Sequence, residues 1–306
     1  MKTKHWTHDD IPDLRGKTII VTGGNSGLGY ASVKAFAGKG ATVVLACRDL
    51  TKGEKAKAEI MLTKPVGEIV VMKLDLMDLS SVRDFAKSFM SNYSRLDVLM
   101  NNAGIMATPH WLTKDGFEAQ LGTNHLGHFA LTGMLIDLIK TTPNARVVNV
   151  SSLAHRSGQM DFNDLMFDHG REYKPFKAYG QSKLANLLFT HELQRFFEAH
   201  KINSIAVAAH PGGSNTRLAS HLESNWFLRL IAPIARGAMQ SADKGALGQI
   251  RASVDSRVKG GEYYGPKGIN EVFGYPVLVE STSASHNRED AKKLWELSEQ
   301  LTGVYF

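Results

Sequence analysis

Six short apolar runs, each followed by helix-like sequence, constrain this chain more than any other feature. They are KTIIVT (17–22), TVVLA (42–46), EIVVMKL (68–74), LDVLM (96–100), ARVVNVS (145–151) and NSIAVAA (203–209). Helical patterns fall between them near 28–38, 52–63, 79–92, 113–140 and 178–200. Short, continuous, β-branched runs separated by helices predict strands buried on both faces, hence a parallel sheet covered by helices. The expected fold class is α/β, a doubly wound and mostly parallel sheet. No linker, repeat or low-complexity tract interrupts the 306 residues, and 43% of them are hydrophobic, so one domain with a sizeable core is expected.

The first run leads into TGGNSGLGYASVKAF (22–36), where Gly23, Gly27 and Gly29 open a helix. Glycines permit a tight turn and close backbone approach, and a helix N-terminus offers unpaired N–H groups at the positive end of its dipole. A strand before and an amphipathic helix after is the setting in which such a turn cradles a dinucleotide diphosphate. Asn25, Ser26 and Leu28 complete the expected phosphate-binding turn.

Several classes are disfavoured. The formal charge of +6 is spread in short patches, with no recognition motif beside it, so nucleic acid is not an expected partner. Cys47 is the only cysteine, which rules out an intramolecular disulfide and points to a reducing, cytoplasmic setting. The N-terminal MKTKHWTHDDIPDLRGK lacks the apolar segment of a secretory signal. No stretch approaches the roughly 18 uninterrupted apolar residues of a spanning helix. The nearest, WFLRLIAPIARGAM (226–239), is broken by Arg229, Pro233 and Arg236 and reads as a flap over a pocket, with a membrane-surface segment as the alternative. His125, His128, His155 and His210 have no cysteine or carboxylate cluster at ligand spacing, so no metal is expected and they read as core or hydrogen-bonding residues.

The glycine spacing is Gly-x-x-x-Gly-x-Gly, which resembles the short-chain dehydrogenase/reductase family, with its Rossmann fold. Further motifs carry the resemblance across 17–216: NNAG (101–104) after the fourth run, LDL (74–76) ending the third, and HPGGSNT (210–216) after the sixth. It implies that Asn102, Ala103 and Gly104 border the nucleotide and that Asp75, with Leu76, meets the adenine amino group. Pro211 and Gly212 match the family's Pro-Gly segment, and Thr216 the threonine that holds the nicotinamide carboxamide.

Tyr179 and Lys183 lie one helical turn apart on a shared face in FKAYGQSKLANLLF (176–189). Hydride transfer at a carbinol carbon needs a partner for the hydroxyl proton. Bringing a tyrosine from about 10 to about 7 takes roughly 4 kcal/mol. A cation about 4 Å away supplies about that much at an effective dielectric near 20. The resemblance makes Tyr179 the general acid/base and Lys183 the group that lowers its pKa and grips the nicotinamide ribose. It makes Ser152 the serine that hydrogen-bonds the substrate oxygen, although Ser152 or Ser151 could equally serve as a cap. Asn124, in TNHLGHF, matches the helix asparagine that holds a water in the proton path.

The second run ends in VVLACRD, with Cys47 where NAD-preferring members carry an acid, and Arg48 next. An arginine there can pair with a 2′-phosphate, so NADP is the expected cofactor. NAD is the alternative, because Asp49 stands about where a ribose-binding acid is found. The gap from Ser152 to Tyr179, with ACRD, NHLGHF, VNVSSLAH and SKLANLLF, resembles the retinol dehydrogenase, WW-domain oxidoreductase and protochlorophyllide reductase branch. It implies a carbonyl or alcohol substrate, lipophilic in character. The family also forms homo-oligomers through helices flanking the sheet. Two segments, 153–177 and 213–240, depart from the alternation and are expected to shape the substrate mouth. In the first, Met160, Phe162, Leu165, Met166 and Phe167 either wall the substrate or pack the loop. A dinucleotide-binding redox sensor with little turnover is the competing reading.

Overall fold

The computed structural model of the chain describes residues 5–213 and 240–306. Its strands are β1 (Thr18–Thr22), β2 (Thr42–Cys47), β3 (Glu68–Lys73), β4 (Val98–Asn101), β5 (Ala145–Val150), β6 (Ser204–Ala209), β7 (Tyr263–Pro266) and β8 (Pro276–Leu278). They form one sheet in the order β3-β2-β1-β4-β5-β6-β7-β8. All neighbours are parallel except the β7–β8 pair. Because the pleat alternates, Ile20, Val44 and Ala46 enter one hydrophobic core while Ile19, Val21, Val43 and Leu45 enter another on the opposite face. Chain order reverses between β1 and β4, which opens a crevice beyond their carboxyl ends.

The six predicted strands are present, and the sheet extends further. β7 is YYGP and β8 is PVL, too short and too rich in glycine and proline to register as apolar runs. Pro276 is tolerated because β8 is an edge strand.

The first three predicted helices form as α1 (Gly27–Gly38), α2 (Leu50–Met61) and α3 (Leu79–Asn92). The expected helix over 113–140 begins later. The Thr113 hydroxyl accepts from Phe117 N at 3.1 Å, closing a turn. The Glu118 carboxylate then caps α4 (Ala119–Leu121) by accepting from Gln120 N and Leu121 N at 3.0 and 2.7 Å. A π turn (Gly122–Leu126) leads into α5 (Gly127–Met134) and α6 (Ile136–Thr141). α7 (Pro175–Ala199) has Pro175 in its first turn, where the missing N–H costs nothing.

After the undescribed segment come α8 (Ala242–Gly245), α9 (Leu247–Val254) and α10 (Arg288–Thr302). Asn287 caps α10, and Gly303 at φ 65° ends it. α10 lays Trp295 against Phe129, Phe189 and Phe196, covering α5 and α7. No described helix is long and apolar enough to cross a membrane.

Candidate active site

The glycine turn sits where β1 enters the crevice. Gly23 adopts φ 67° and Gly27 φ 54°, backbone that side-chain-bearing residues rarely take. A Cβ on Gly29 would stand 2.3 Å from Gly23 O and 2.7 Å from Asn102 Nδ2. The helix start and the turn therefore touch through bare backbone. Ser26 occupies the N-cap of α1 without a side-chain capping bond. The turn from Asn25 to Leu28 accordingly meets the crevice with its helix N–H groups uncapped by any side chain.

The NNAG segment forms the neighbouring wall. The Thr22 hydroxyl accepts from Asn102 N and Ala103 N, both at 2.9 Å, and Asn102 Nδ2 donates to Thr22 O at 2.7 Å. Gln249 of α9 supports this from below, donating to Asn102 Oδ1 at 3.0 Å and to Ser32 Oγ at 2.9 Å. No sequence signal marks Gln249, since its role depends on a contact 147 residues away. Gly104 is packed so closely that a Cβ there would lie 3.0 Å from Asn124 Oδ1 and 3.5 Å from Lys183 Nζ.

At the end of β2, Cys47 is buried and its thiol donates to Asp49 O at 3.3 Å, with burial pushing its pKa up to about 11. The Asp49 carboxylate is engaged at the cap of α2, accepting from Lys52 N at 3.1 Å and pairing with Lys52 Nζ at 3.2 Å. Arg48 is exposed, and among the described residues it pairs with no carboxylate; its guanidinium reaches Met77 Sδ at 3.7 Å. Asp75 and Leu76 follow β3, with Asp75 Oδ1 accepting from Met77 N at 3.1 Å.

The four residues expected to carry the chemistry gather where β5, α5 and α7 meet. Tyr179 and Lys183 face inward from α7, 5% and 3% exposed. Lys183 Nζ donates to Val150 O at 3.0 Å, an acceptor it shares with Asn186 Nδ2. The Ser152 hydroxyl is close enough to the Tyr179 phenol to act on its titration, and its Oγ accepts from Ala154 N at 3.2 Å. Ser152 thus caps its 3-10 turn while facing the tyrosine, whereas Ser151 ties β5 to α7 through Lys183 O at 2.8 Å. Asn124 lies in the π turn, its amide held to Ile105 N and O at 2.9 and 3.0 Å and to Ser182 Oγ at 2.9 Å.

Burial pushes the Tyr179 phenol up to about 12, and the Ser152 hydroxyl pulls it the other way. The lysine Nζ stands 5.7 Å from the ring centroid, and burial lowers its own pKa to about 8.

Pro211 and Gly212 follow β6. His210 Nδ1 accepts from Gly212 N at 3.2 Å, which leaves Nε2–H to donate to Glu271 at 2.9 Å. Glu271 also pairs with Arg156 at 2.7 Å, so one carboxylate ties the Pro-Gly segment to the turn after Ser152. Thr216 and nearly all of the expected mouth segment 213–240 lie outside the described residues.

Segment 153–177 is more tightly built than a polar mouth. Leu165 and Phe167 are buried, and Met160, Phe162 and Met166 pack on the core, so these side chains fill the loop. Tyr173 Oη anchors the segment, bonding Thr108 O and Glu118 Oε1 at 3.0 and 3.1 Å. The histidines flagged in the sequence are hydrogen-bonding residues: His125 meets Ser298 Oγ at 2.9 Å and His155 meets Ser152 O at 2.7 Å. Among the described residues no three His, Cys, Asp or Glu side chains converge as a metal site.

Comparison with known proteins agrees with this geometry. The family profile described as short chain dehydrogenase matches residues 17–165. Human Retinol dehydrogenase 12 is 37% identical over 95% of this chain and 88% of its own length. Human Retinol dehydrogenase 13 is 37% identical over 95% of this chain and 86% of its own. A crystal structure of an uncharacterized protein from Mycobacterium paratuberculosis superposes with a TM-score of 0.83 at 42% identity, covering 99% of each chain. The Pseudomonas aeruginosa RhlG/NADP complex, at 21% identity and a TM-score of 0.64 over 82% of this chain and 94% of its own, shares the fold. With near-complete coverage at this identity, the chain belongs to the short-chain dehydrogenase family and is an oxidoreductase of its retinol dehydrogenase branch.

Proposed function

We propose that this enzyme interconverts a carbonyl compound and its alcohol using NADP, with Tyr179 as general acid/base. The observation that carries the reading is the convergence of Tyr179, Ser152, Lys183 and Asn124 beside a glycine-cradled, uncapped helix N-terminus. A diphosphate fits that cradle, because a Cβ on Gly29 would close it and the first N–H groups of α1 lack a capping side chain. Asn102, Ala103, Gly104, Asp75, Leu76, Pro211 and Gly212 are the further nucleotide contacts of this reading, as the family motifs imply.

When bound, the nicotinamide supplies or takes up the hydride. The protein handles the proton. A phenol near 12 is protonated at neutral pH, so in carbonyl reduction the Tyr179 proton passes to the substrate oxygen. Ser152, whose Oγ lone pair is partly occupied by Ala154 N, can turn its own proton toward that oxygen. With a pKa near 8, Lys183 is mostly an ammonium at pH 7 and can stabilise a phenolate formed during turnover.

Arg48 supports NADP over NAD. It is uncommitted to any described carboxylate, while Asp49, the acid that could have served a ribose hydroxyl, is occupied in capping α2. The RhlG relative is itself an NADP complex, in keeping with this choice. The substrate is assigned as a lipophilic aldehyde, ketone or alcohol, by analogy with the relatives named as retinol dehydrogenases. The buried, unpaired thiol of Cys47 is consistent with a cytoplasmic setting.

A carbonyl and alcohol panel with NADPH and NADH, followed at the reduced-nicotinamide absorbance, tests the reading in the parent chain and in Tyr179→Phe. Turnover lost with NADPH affinity kept is expected. Near-normal turnover in the variant removes Tyr179 from its role.

A further inference from the structure

We infer that His128 is a positioning residue, a neutral ring that joins the strand end before the phosphate turn to the helix turn carrying Asn124. This rests on the functional reading above for its kinetic consequences and on geometry alone for the bracket itself.

The ring is 2% exposed and has a partner at each nitrogen. Nδ1 lies 3.0 Å from the main-chain oxygen of Asn124, and Nε2 lies 2.8 Å from Thr22 Oγ1. A carbonyl oxygen can only accept, so Nδ1 carries the proton. The neutral ring then presents a bare lone pair at Nε2, and Thr22 must donate to it. Thr22 is suited to this, because its hydroxyl already accepts from both Asn102 N and Ala103 N and has one proton to give. Its other candidate acceptor, Met100 O, is more distant at 3.3 Å. Placing a second proton on the ring would aim an N–H at an oxygen whose lone pairs are both taken.

The two arms reach different parts of the site. Through Thr22, His128 orients the hydroxyl that holds the Asn102–Ala103 wall, whose amide also bonds the strand end at Thr22 O. Through Asn124 O, it holds the π turn whose amide side chain fixes Ile105 and whose Oδ1 borders Gly104 beside Lys183 Nζ. One ring therefore sets the nucleotide wall on one side and the surroundings of the lysine on the other.

Two substitutions separate the arms, because an asparagine amide reaches about where Nδ1 sits and a glutamine amide about where Nε2 sits. His128→Asn keeps the bond to Asn124 O and frees Thr22. Its KM and Kd for NADPH are expected to rise about 10-fold with a smaller change in kcat, the size of one lost hydrogen bond. His128→Gln keeps the bond to Thr22 and frees Asn124 O. Its kcat is expected to fall about 10-fold with NADPH affinity within about twofold. Equal shifts of both parameters in both variants, or a melting-temperature change alone, overturn the inference. Imidazole 15N shifts of the nucleotide-free chain, assigned to His128 by comparison with either variant, give a readout independent of turnover. A protonated Nδ1 and bare Nε2 are expected at neutral pH, and the opposite tautomer or a charged ring overturns it. A parent chain with the expected tautomer that fails to bind NADPH refutes the functional reading and leaves the bracket standing.

Discussion

Gly29→Ala is the sharpest test of the crevice, because its effect follows from distances. The new Cβ would sit 2.3 Å from Gly23 O, 2.7 Å from Asn102 Nδ2 and 2.8 Å from Gly23 C, all well inside ordinary van der Waals contact. None of these atoms is at the loose end of a flexible chain. Gly23 N is held to Ala46 O at 2.8 Å, and Asn102 Nδ2 is held to Thr22 O at 2.7 Å. Relief requires either moving the turn off the helix start or breaking the Asn102 bond. Overpacking and one lost hydrogen bond together cost about 2–4 kcal/mol. That corresponds to a fall of roughly 3–6 °C in melting temperature for a chain of this size. The displaced turn no longer matches a diphosphate, so affinity for NADPH, read by fluorescence titration, is expected to drop by more than about 10-fold. Gly38→Ala is the matched control at the other end of α1, where a Cβ meets nothing within 4 Å. It is expected to be neutral or stabilising by up to about 1 kcal/mol. Should Gly29→Ala melt within a degree of the parent and bind NADPH equally well, the close-approach argument is wrong.

Arg48→Ala is expected to cut kcat/KM with NADPH by about 10-fold, the value of one exposed charge-assisted hydrogen bond, while leaving NADH nearly unchanged. An equal loss with both nucleotides would remove Arg48 as the 2′-phosphate contact. Glu271→Gln, which weakens the ties to His210 and Arg156, is expected to lower stability by about 1 kcal/mol in chemical denaturation, a value limited by solvent at a half-open carboxylate. No change in denaturation midpoint would show that this carboxylate bears no strain of the two segments. Burial lowers His125 to about 3, and His128 and His191 to about 4. The unfolded chain takes up these protons below about 6.5 while the folded one resists, so stability is full above that pH and falls steadily toward pH 4. Melting curves across pH 4–7 should show this slope, and His191→Phe should flatten it; an unchanged slope would mean that His191 titrates normally.

The candidate site residues were legible where local sequence sufficed. Strand runs, glycine spacing, the Tyr179–Lys183 turn and the place of Arg48 just after β2 all depend on neighbours within a few positions, through backbone propensity and helical periodicity. β7 and β8 were not, because strands this short form only when a sheet edge is already in place to pair with them. The start of α4 was obscured because a side-chain cap at Glu118 and a loop closed by Thr113 competed with an apparent helical pattern.

What sequence alone determined is therefore the class of chemistry and the order of the elements that deliver it, since both are written in short-range pattern. Tertiary structure decided the rest: that Asp49 caps a helix, that Ser152 rather than Ser151 faces the phenol, that Gln249 and His128 brace the nucleotide wall, and that the tyrosine rests protonated. Each of these depends on groups far apart in the chain and on how much water burial has removed from around them. Desolvation and hydrogen-bond valence act only once the sheet has brought those groups together.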